Sequence, residues 1–458
     1  MKKLFSKYTG DKGSFRRNSL IMSSGAIVNI VVAFILTPIV TRLFSQEEFG
    51  IFYIYASIVA IASLVINGMY PHAFVVPKYK RDFLALLKIC FTLTFGGLLF
   101  FYLCLFLFGD WFCSILSAEA IIPFKYLLPI GLLVTTLNIL FSNWNVRRKE
   151  FKKNASSNVV LSASAKGAQI GYGTLISGSF PGLIYSDIIS KALATTILVS
   201  KTMAVDFALL KRITINEMKA IAIEYKKYPI YLLSSNFVNR FTSDIPIYIL
   251  SSFFGLGAVG AFGFANTIMQ IPFNVIGNSI APVYFQRANE LYLNDKESLK
   301  AFTIKSYDKM LLLGSLAYGF IFAFGDIIFK YVFSAEWELA GKLAMILSVY
   351  YVFKLISSPF ARIFRVVRRE EITLKVNIFL AVMRLVCLVL GLIFNNLYIA
   401  IVGFSFGNLL GYAYNNFEVF KIIGISRSHI LTKTIKIMVP IFIGFTLFRF
   451  LILNFIEL

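Results

Sequence analysis

LALLKICFTLTFGGLLFFYLCLFLF, residues Leu84–Phe108, carries one charge, Lys88, in 25 residues. A helix of that length is about 37 Å long, enough to cross a hydrocarbon core of about 30 Å. The run does not alternate apolar and polar residues, as the strands of a transmembrane β-barrel do. It reads as a membrane-crossing helix, and Ile27–Ile39 has the same character.

The rest of the chain repeats this pattern. Of 458 residues, 58% are hydrophobic and 15% charged, with a mean hydropathy of +0.76. Soluble domains run at about 45–50% and 25%. Disorder, collagen, coiled coil and secreted disulfide scaffolds are excluded, leaving an all-α polytopic membrane protein. Apolar runs lie near 20–41, 49–70, 83–109, 121–142, 157–176, 182–203, 229–253, 258–283, 308–331, 339–361, 372–394 and 397–420. Twelve spans of about 22 residues need about 264 residues, which agrees with the apolar share. A further run, 437–456, contains Arg449. It reads equally as an extra C-terminal hydrophobic span or as a helix lying in the interface.

The net charge of +22 is sorted by loop. Lys2, Lys3, Lys7, Lys12, Arg16 and Arg17 precede the first run. Lys78, Lys80 and Arg81 follow the second, and Arg147, Arg148, Lys149, Lys152 and Lys153 the fourth. Lys211, Arg212, Lys219, Lys226 and Lys227 follow the sixth; Arg287, Lys296 and Lys300 the eighth; Arg362, Arg365, Arg368 and Arg369 the tenth; Lys421, Arg427, Lys433 and Lys436 the twelfth. Every basic loop falls on one side, which the positive-inside rule assigns to the cytoplasm, together with the N-terminus. The surplus is then a topology signal, and nucleic acid is not expected as a partner. The basic start lacks a small-x-small cleavage site, so no cleaved signal peptide is expected. Cys90, Cys104, Cys113 and Cys387 form no CxxC pair and read as small apolar residues; no metal site and no cofactor is expected.

The polar, basic stretch at 204–228 divides the chain evenly. The expected organisation is an N-terminal six-helix lobe over 1–203, a cytoplasmic linker over 204–228, a C-terminal six-helix lobe over 229–420 and a tail over 421–458. Phe44, Gly50, Phe52 and Ile54 recur at an offset of 210 as Phe254, Gly260, Phe262 and Phe264. Two similar lobes around a central cavity follow, an architecture used by transporters.

Charge at bilayer depth points to that cavity. An ionisable residue mid-span costs roughly 2.5–3.5 kcal/mol on insertion scales and so faces protein or water. Lys166, Asp187, Lys191, Arg240, Asp244, Lys354 and Arg384 are such residues. Asp187/Lys191 and Arg240/Asp244 are four apart, on one helix face. They read either as structural ion pairs or as part of a polar cavity with surplus positive charge, suited to phosphate or pyrophosphate. On the second reading Arg240 and Arg384 lead as substrate contacts, followed by Lys166, Lys191 and Lys354, while Asp187 and Asp244 are candidates for a coupling H+ or Na+. Neither a P-loop nor HExxH occurs, and the outward loops are too short for a catalytic lobe. No enzyme is expected.

TPIVTRLFSQEEFGIF (Thr37–Phe52), YPHAFVVPK (Tyr70–Lys78), NVRRKEFKKNASS (Asn145–Ser157) and the stretch from Tyr225 to Glu290 resemble Wzx-type oligosaccharide flippases of the multidrug/oligosaccharidyl-lipid/polysaccharide exporter superfamily. Met69-Tyr70-Pro71 stands where that family often has Arg-Tyr-Glu, so no role of those charges carries over. The resemblance implies a bacterial inner-membrane flippase for undecaprenyl-pyrophosphate-linked repeat units of O-antigen, capsule or other polysaccharide. Its partners would be that lipid-linked oligosaccharide, membrane lipids and a polymerase or ligase. A drug antiporter of the same superfamily and a membrane polymerase or ligase are the alternatives.

Overall fold

The computed structural model describes residues 32, 34–115, 118–176, 180–367, 369 and 371–456. The basic N-terminal tail and most of the first apolar run lie outside them. The fold is all-α and polytopic. The chain divides into two compact units, Met1–Arg240 and Phe241–Leu458.

The first unit begins with α1 (Phe34–Leu43) and α2 (Gln46–Asn67). Between them Ser45 caps α2: its hydroxyl accepts from the Glu48 N–H, and Glu48 accepts from the Ser45 N–H. That reciprocal pair satisfies amides that otherwise have no helical partner. Gly68, at φ 54°, ends α2 in the left-handed conformation that glycine adopts without steric cost. There follow α3 (Lys80–Ile115), α4 (Leu127–Arg147), α5 (Phe151–Leu175) and α6 (Phe180–Leu198). The stretch expected as a linker is helical, with α7 (Lys201–Leu210) and α8 (Ile215–Glu224). From Pro181–Leu198 to Met203–Leu210 the chain turns by 92°.

Several basic residues near the loops of this unit make structural contacts. Arg147 Nη1 donates to the carbonyls of Phe74 (2.5 Å) and Pro77 (3.0 Å), and its guanidinium lies 4.5 Å from the Phe83 ring centroid. Arg148 and Lys80 both pair with Asp206 on α7. Arg81 pairs with Glu217 on α8, and Lys88 Nζ reaches the Ile213 carbonyl at 2.6 Å. The YPHAFVVPK and NVRRKE segments thus meet, and α7 and α8 are docked against them.

The second unit continues α9 (Ser234–Pro272), which is two helices joined at Gly255. Gly255 has φ 80° and ψ 175°, a combination strained for any side-chain-bearing L-residue. Its counterpart at the offset of 210 is Ser45, which likewise starts a helix. After it come α10 (Asn278–Asn294), α11 (Lys296–Ile328), α12 (Glu338–Phe360), α13 (Glu371–Leu392), α14 (Leu397–Ile423) and α15 (Arg427–Ile456). Among the described residues nine helices are long and apolar enough to cross a membrane, or ten if the bent pair is one span; one of them, Tyr228–Asn294, contains the Gly255 break. α5 is absent from that set because it is rich in Ser, Ala and Gly.

The C-terminal run left open between span and interfacial helix lies within α15, which is long and apolar enough to cross a membrane. At 30 residues it is about 45 Å long. It lies parallel to α11 over most of that length: Lys433 pairs with Asp308, Gly319 faces Phe442, and Arg449 meets Asp326 at 2.7 and 3.0 Å.

Candidate functional site

In the second unit the polar interior is organised around Arg384, on α13. α13 and α14 approach backbone to backbone because α14 presents Gly403, Gly407 and Gly411 at four-residue spacing. A Cβ on Gly403 would lie 2.1 Å from the Cys387 carbonyl oxygen, and one on Gly407 would lie 2.3 Å from that of Met383. Small residues one turn apart are the usual means of such close packing in membranes. The contact sets the next residue, Asn408, beside Arg384.

Arg384 is 3% exposed. Its Nε donates to Asn408 Oδ1 (2.7 Å), Nη1 to Ser243 Oγ (2.9 Å) and Thr242 Oγ1 (3.3 Å), and Nη2 to the Tyr412 hydroxyl (3.1 Å). One guanidinium therefore ties α13 to α9 and α14 through neutral oxygens. Hydrogen bonds donated by a charged group are stronger than those between neutral partners, so this shell holds the guanidinium firmly. Asp244, one residue beyond Ser243, is also buried.

The network continues through tyrosines. The Tyr412 and Tyr350 rings stack at 6.4 Å, Tyr350 and Tyr351 lie 4.6 Å apart, and Tyr351 and Tyr318 5.5 Å apart. The Tyr351 hydroxyl bonds Asn266, and that of Tyr318 donates to the Met269 carbonyl at 3.1 Å. Lys354, one turn after Tyr350, sets its ammonium 4.6 Å from the Tyr351 ring centroid and 5.1 Å from that of Phe273. Aromatic faces attract a cation held at that distance.

In the first unit the polar residues of α6 form a second centre. Lys191 Nζ contacts Asp187 Oδ2 at 2.7 Å, and the buried Tyr55 hydroxyl donates to the same oxygen at 3.4 Å. Thr195, one turn on, accepts from Asn138 at 3.1 Å. Gly131 makes room for Tyr55, since a Cβ there would lie 1.9 Å from its hydroxyl. Lys166 is half-buried on α5 and makes no hydrogen bond or ion pair with any described residue. Gln169, three residues on and on the same face, is buried with its Oε1 lacking a protein partner among the described residues.

Of the residues singled out from sequence, Asp187 and Lys191 are brought together, and Arg384 joins the stretch just before Asp244. Lys166 has no hydrogen-bond or ion-pair partner among the described residues, Lys354 lies against the Tyr351 and Phe273 rings, and Arg240 is exposed on α9. Sequence reasoning missed Asn408, Tyr412, Thr242 and Ser243. The Gly403-x-x-x-Gly407-x-x-x-Gly411 pattern was the available signal, since it marks where two helices touch. Among the described residues no group of His, Cys, Asp and Glu could hold a metal.

A family described as polysaccharide biosynthesis proteins matches residues 39–341. A succinoglycan biosynthesis transport protein, ExoT of Rhizobium meliloti (strain 1021), is 22% identical over 325 residues, covering 69% of this chain. The match spans 62% of that relative's length. Among solved structures, the lipid II flippase MurJ in an inward closed conformation aligns with a TM-score of 0.71 at 14% identity, covering 96% of this chain and 98% of that one. An inward-facing multidrug resistance MATE family transporter of the MOP superfamily aligns at 0.70 and 14% identity, covering 87% and 98%. At such identity the two structures establish a shared fold.

Proposed function

The chain belongs to the family of polysaccharide biosynthesis proteins, and on that premise we propose that it flips undecaprenyl-pyrophosphate-linked oligosaccharide repeat units across the bacterial inner membrane by alternating access. The family match over residues 39–341 carries the reading. The relative named as a succinoglycan transport protein and the flippase that shares the fold support it. One-sided loop charge supports a cytoplasmic N-terminus. No covalent step is proposed: the hydrated sugars need shielding from hydrocarbon and the pyrophosphate needs cations, while the polyprenyl tail stays in lipid.

Within this reading Lys166 is the leading pyrophosphate contact, because its charge has no described partner. Lys354 is next, its charge facing rings. Lys191 shares its charge with Asp187, so protonation of Asp187 would release it, which makes Asp187 a candidate for proton coupling. Asp244 is the corresponding candidate in the second unit. Arg384 acts as a positioning residue for α9 and α14, and Arg240 remains a candidate contact on α9.

Purified protein in liposomes containing a fluorescent lipid-linked oligosaccharide tests this. Leaflet transfer with unchanged sugar length is expected, lost in Lys166→Gln and kept in Lys166→Arg. Undiminished transfer by Lys166→Gln removes Lys166 from the site. Chain growth would point to a polymerase, and efflux of cationic drugs without lipid transfer to an antiporter.

A further inference from the structure

At the basic-loop end of α13 and α14 lies a pocket of about 380 Å³ lined by Arg369, Lys375, Lys421, Glu418, Tyr414 and Ile372, among others. Arg369 pairs with Glu371 at the rim (3.2 Å). Lys375, Lys421 and Glu418 make no hydrogen bond or salt bridge with a described residue. The pocket therefore holds two ammonium groups and one carboxylate that no described side chain binds directly, although the Lys375 charge also acts on Glu371, and the Tyr414 ring, tilted against Phe379 at 4.6 Å, is part of its wall.

From Lys375 an apolar lane leads toward the other end of α13. Ile378, Val382, Val386 and Val389 follow it at three- and four-residue spacing, and all four are exposed. A helix face of this kind lies against lipid, with the lysine where headgroups begin. A soluble phosphate would have no use for that lane, whereas an acyl chain fits it.

We propose that this pocket binds the headgroup of an anionic glycerophospholipid of the cytoplasmic leaflet, such as phosphatidylglycerol. Lys375 and Lys421 hold the phosphate, Glu418 accepts from the headgroup hydroxyls, and an acyl chain lies along Ile378–Val389. Basic pockets between helices on the cytoplasmic side suit such lipids, where the leaflet's own negative charge enriches them. The site uses none of the residues that the flippase reading invokes, so it stands or falls independently of that reading.

Native mass spectrometry of the full chain, titrated with phosphatidylglycerol or phosphatidylcholine, is the test. Wild-type protein should retain phosphatidylglycerol in preference. Each lysine removed should weaken retention roughly fivefold, so Lys375→Gln with Lys421→Gln should lose about 25-fold, with phosphatidylcholine adducts unchanged. The paired Arg variants should keep binding. If the double variant does not fold, Lys421→Gln alone carries the fivefold test. Equal phosphatidylglycerol retention by wild type and variant overturns the proposal. So does displacement of the lipid by millimolar inorganic phosphate, which would make the ligand a soluble anion.

Discussion

Replacing Asn408 with Leu should destabilise the protein more than replacing Asn408 and Arg384 together. Asn408 supplies the 2.7 Å acceptor to Arg384 Nε, and both side chains are buried. Asn408→Leu keeps the volume but leaves a charged donor without that partner. Hydrogen bonds to charged groups are worth roughly 1.5–3 kcal/mol, and stripping a partner from a buried charge costs up to about 3–5 kcal/mol. With Ser243, Thr242 and Tyr412 still bound to the guanidinium, about 2–3 kcal/mol is the expected loss. Arg384→Met removes the charge together with its desolvation cost and leaves the Asn408, Thr242, Ser243 and Tyr412 oxygens underpartnered, for about 1–2 kcal/mol. The double variant should then lie near Arg384→Met alone, giving a coupling of roughly 2–3 kcal/mol, the cost of Asn408→Leu itself. Equilibrium unfolding of the purified full chain in mixed micelles measures all four corners of the cycle. Costs that add to within about 0.5 kcal/mol would falsify the view that Arg384 is held through Asn408.

Three further outcomes are expected. Gly407→Val should cost at least about 1–3 kcal/mol, because its side chain meets the Met383 carbonyl, whereas Gly444→Ala, with open space around it, should be neutral to slightly stabilising in the same unfolding assay. A reporter fused after α15 should be active on the side opposite the basic loops, since α15 runs parallel to α11; swapping the charges of Arg449 and Asp326 should restore stability that either single reversal loses. The Thr214 amide, with Arg81, holds the Glu217 carboxyl down at about 2 from its ordinary 4.5. A lowered value means that the contribution to docking α8 is complete above about pH 4.5 and disappears as the pH falls through 2. Proteolytic nicking between Lys211 and Lys227 should therefore rise across that acid range, and in Arg81→Ala the rise should begin at higher pH.

Most of the helices were legible along the chain because a membrane demands long apolar runs and a hydrogen-bonded backbone, and both demands are local. Leu84–Phe108 sits inside α3, the break between two runs falls at Gly255, and the capping residues Ser45 and Asn396 stand where runs begin. The candidate site was legible only in part. Charges mid-span could be listed from sequence, and the i,i+4 spacing of Asp187 and Lys191 foretold their contact, since helix geometry alone brings them together.

What the residues of Arg384's shell do depends on helices remote in sequence. Asn408 is 24 residues from Arg384, and Thr242 lies 142 away. Their meeting is decided by glycines that let α13 and α14 touch, a property of two surfaces and not of either run. The same holds for Arg147, Arg148 and Lys80, which along the chain are loop charges counting toward orientation. Folded, they bind the Phe74 and Pro77 carbonyls and Asp206. Composition and periodicity determined that the chain crosses a membrane many times; only tertiary packing decided which of its cations are bound within the protein and which still have charge to offer a ligand.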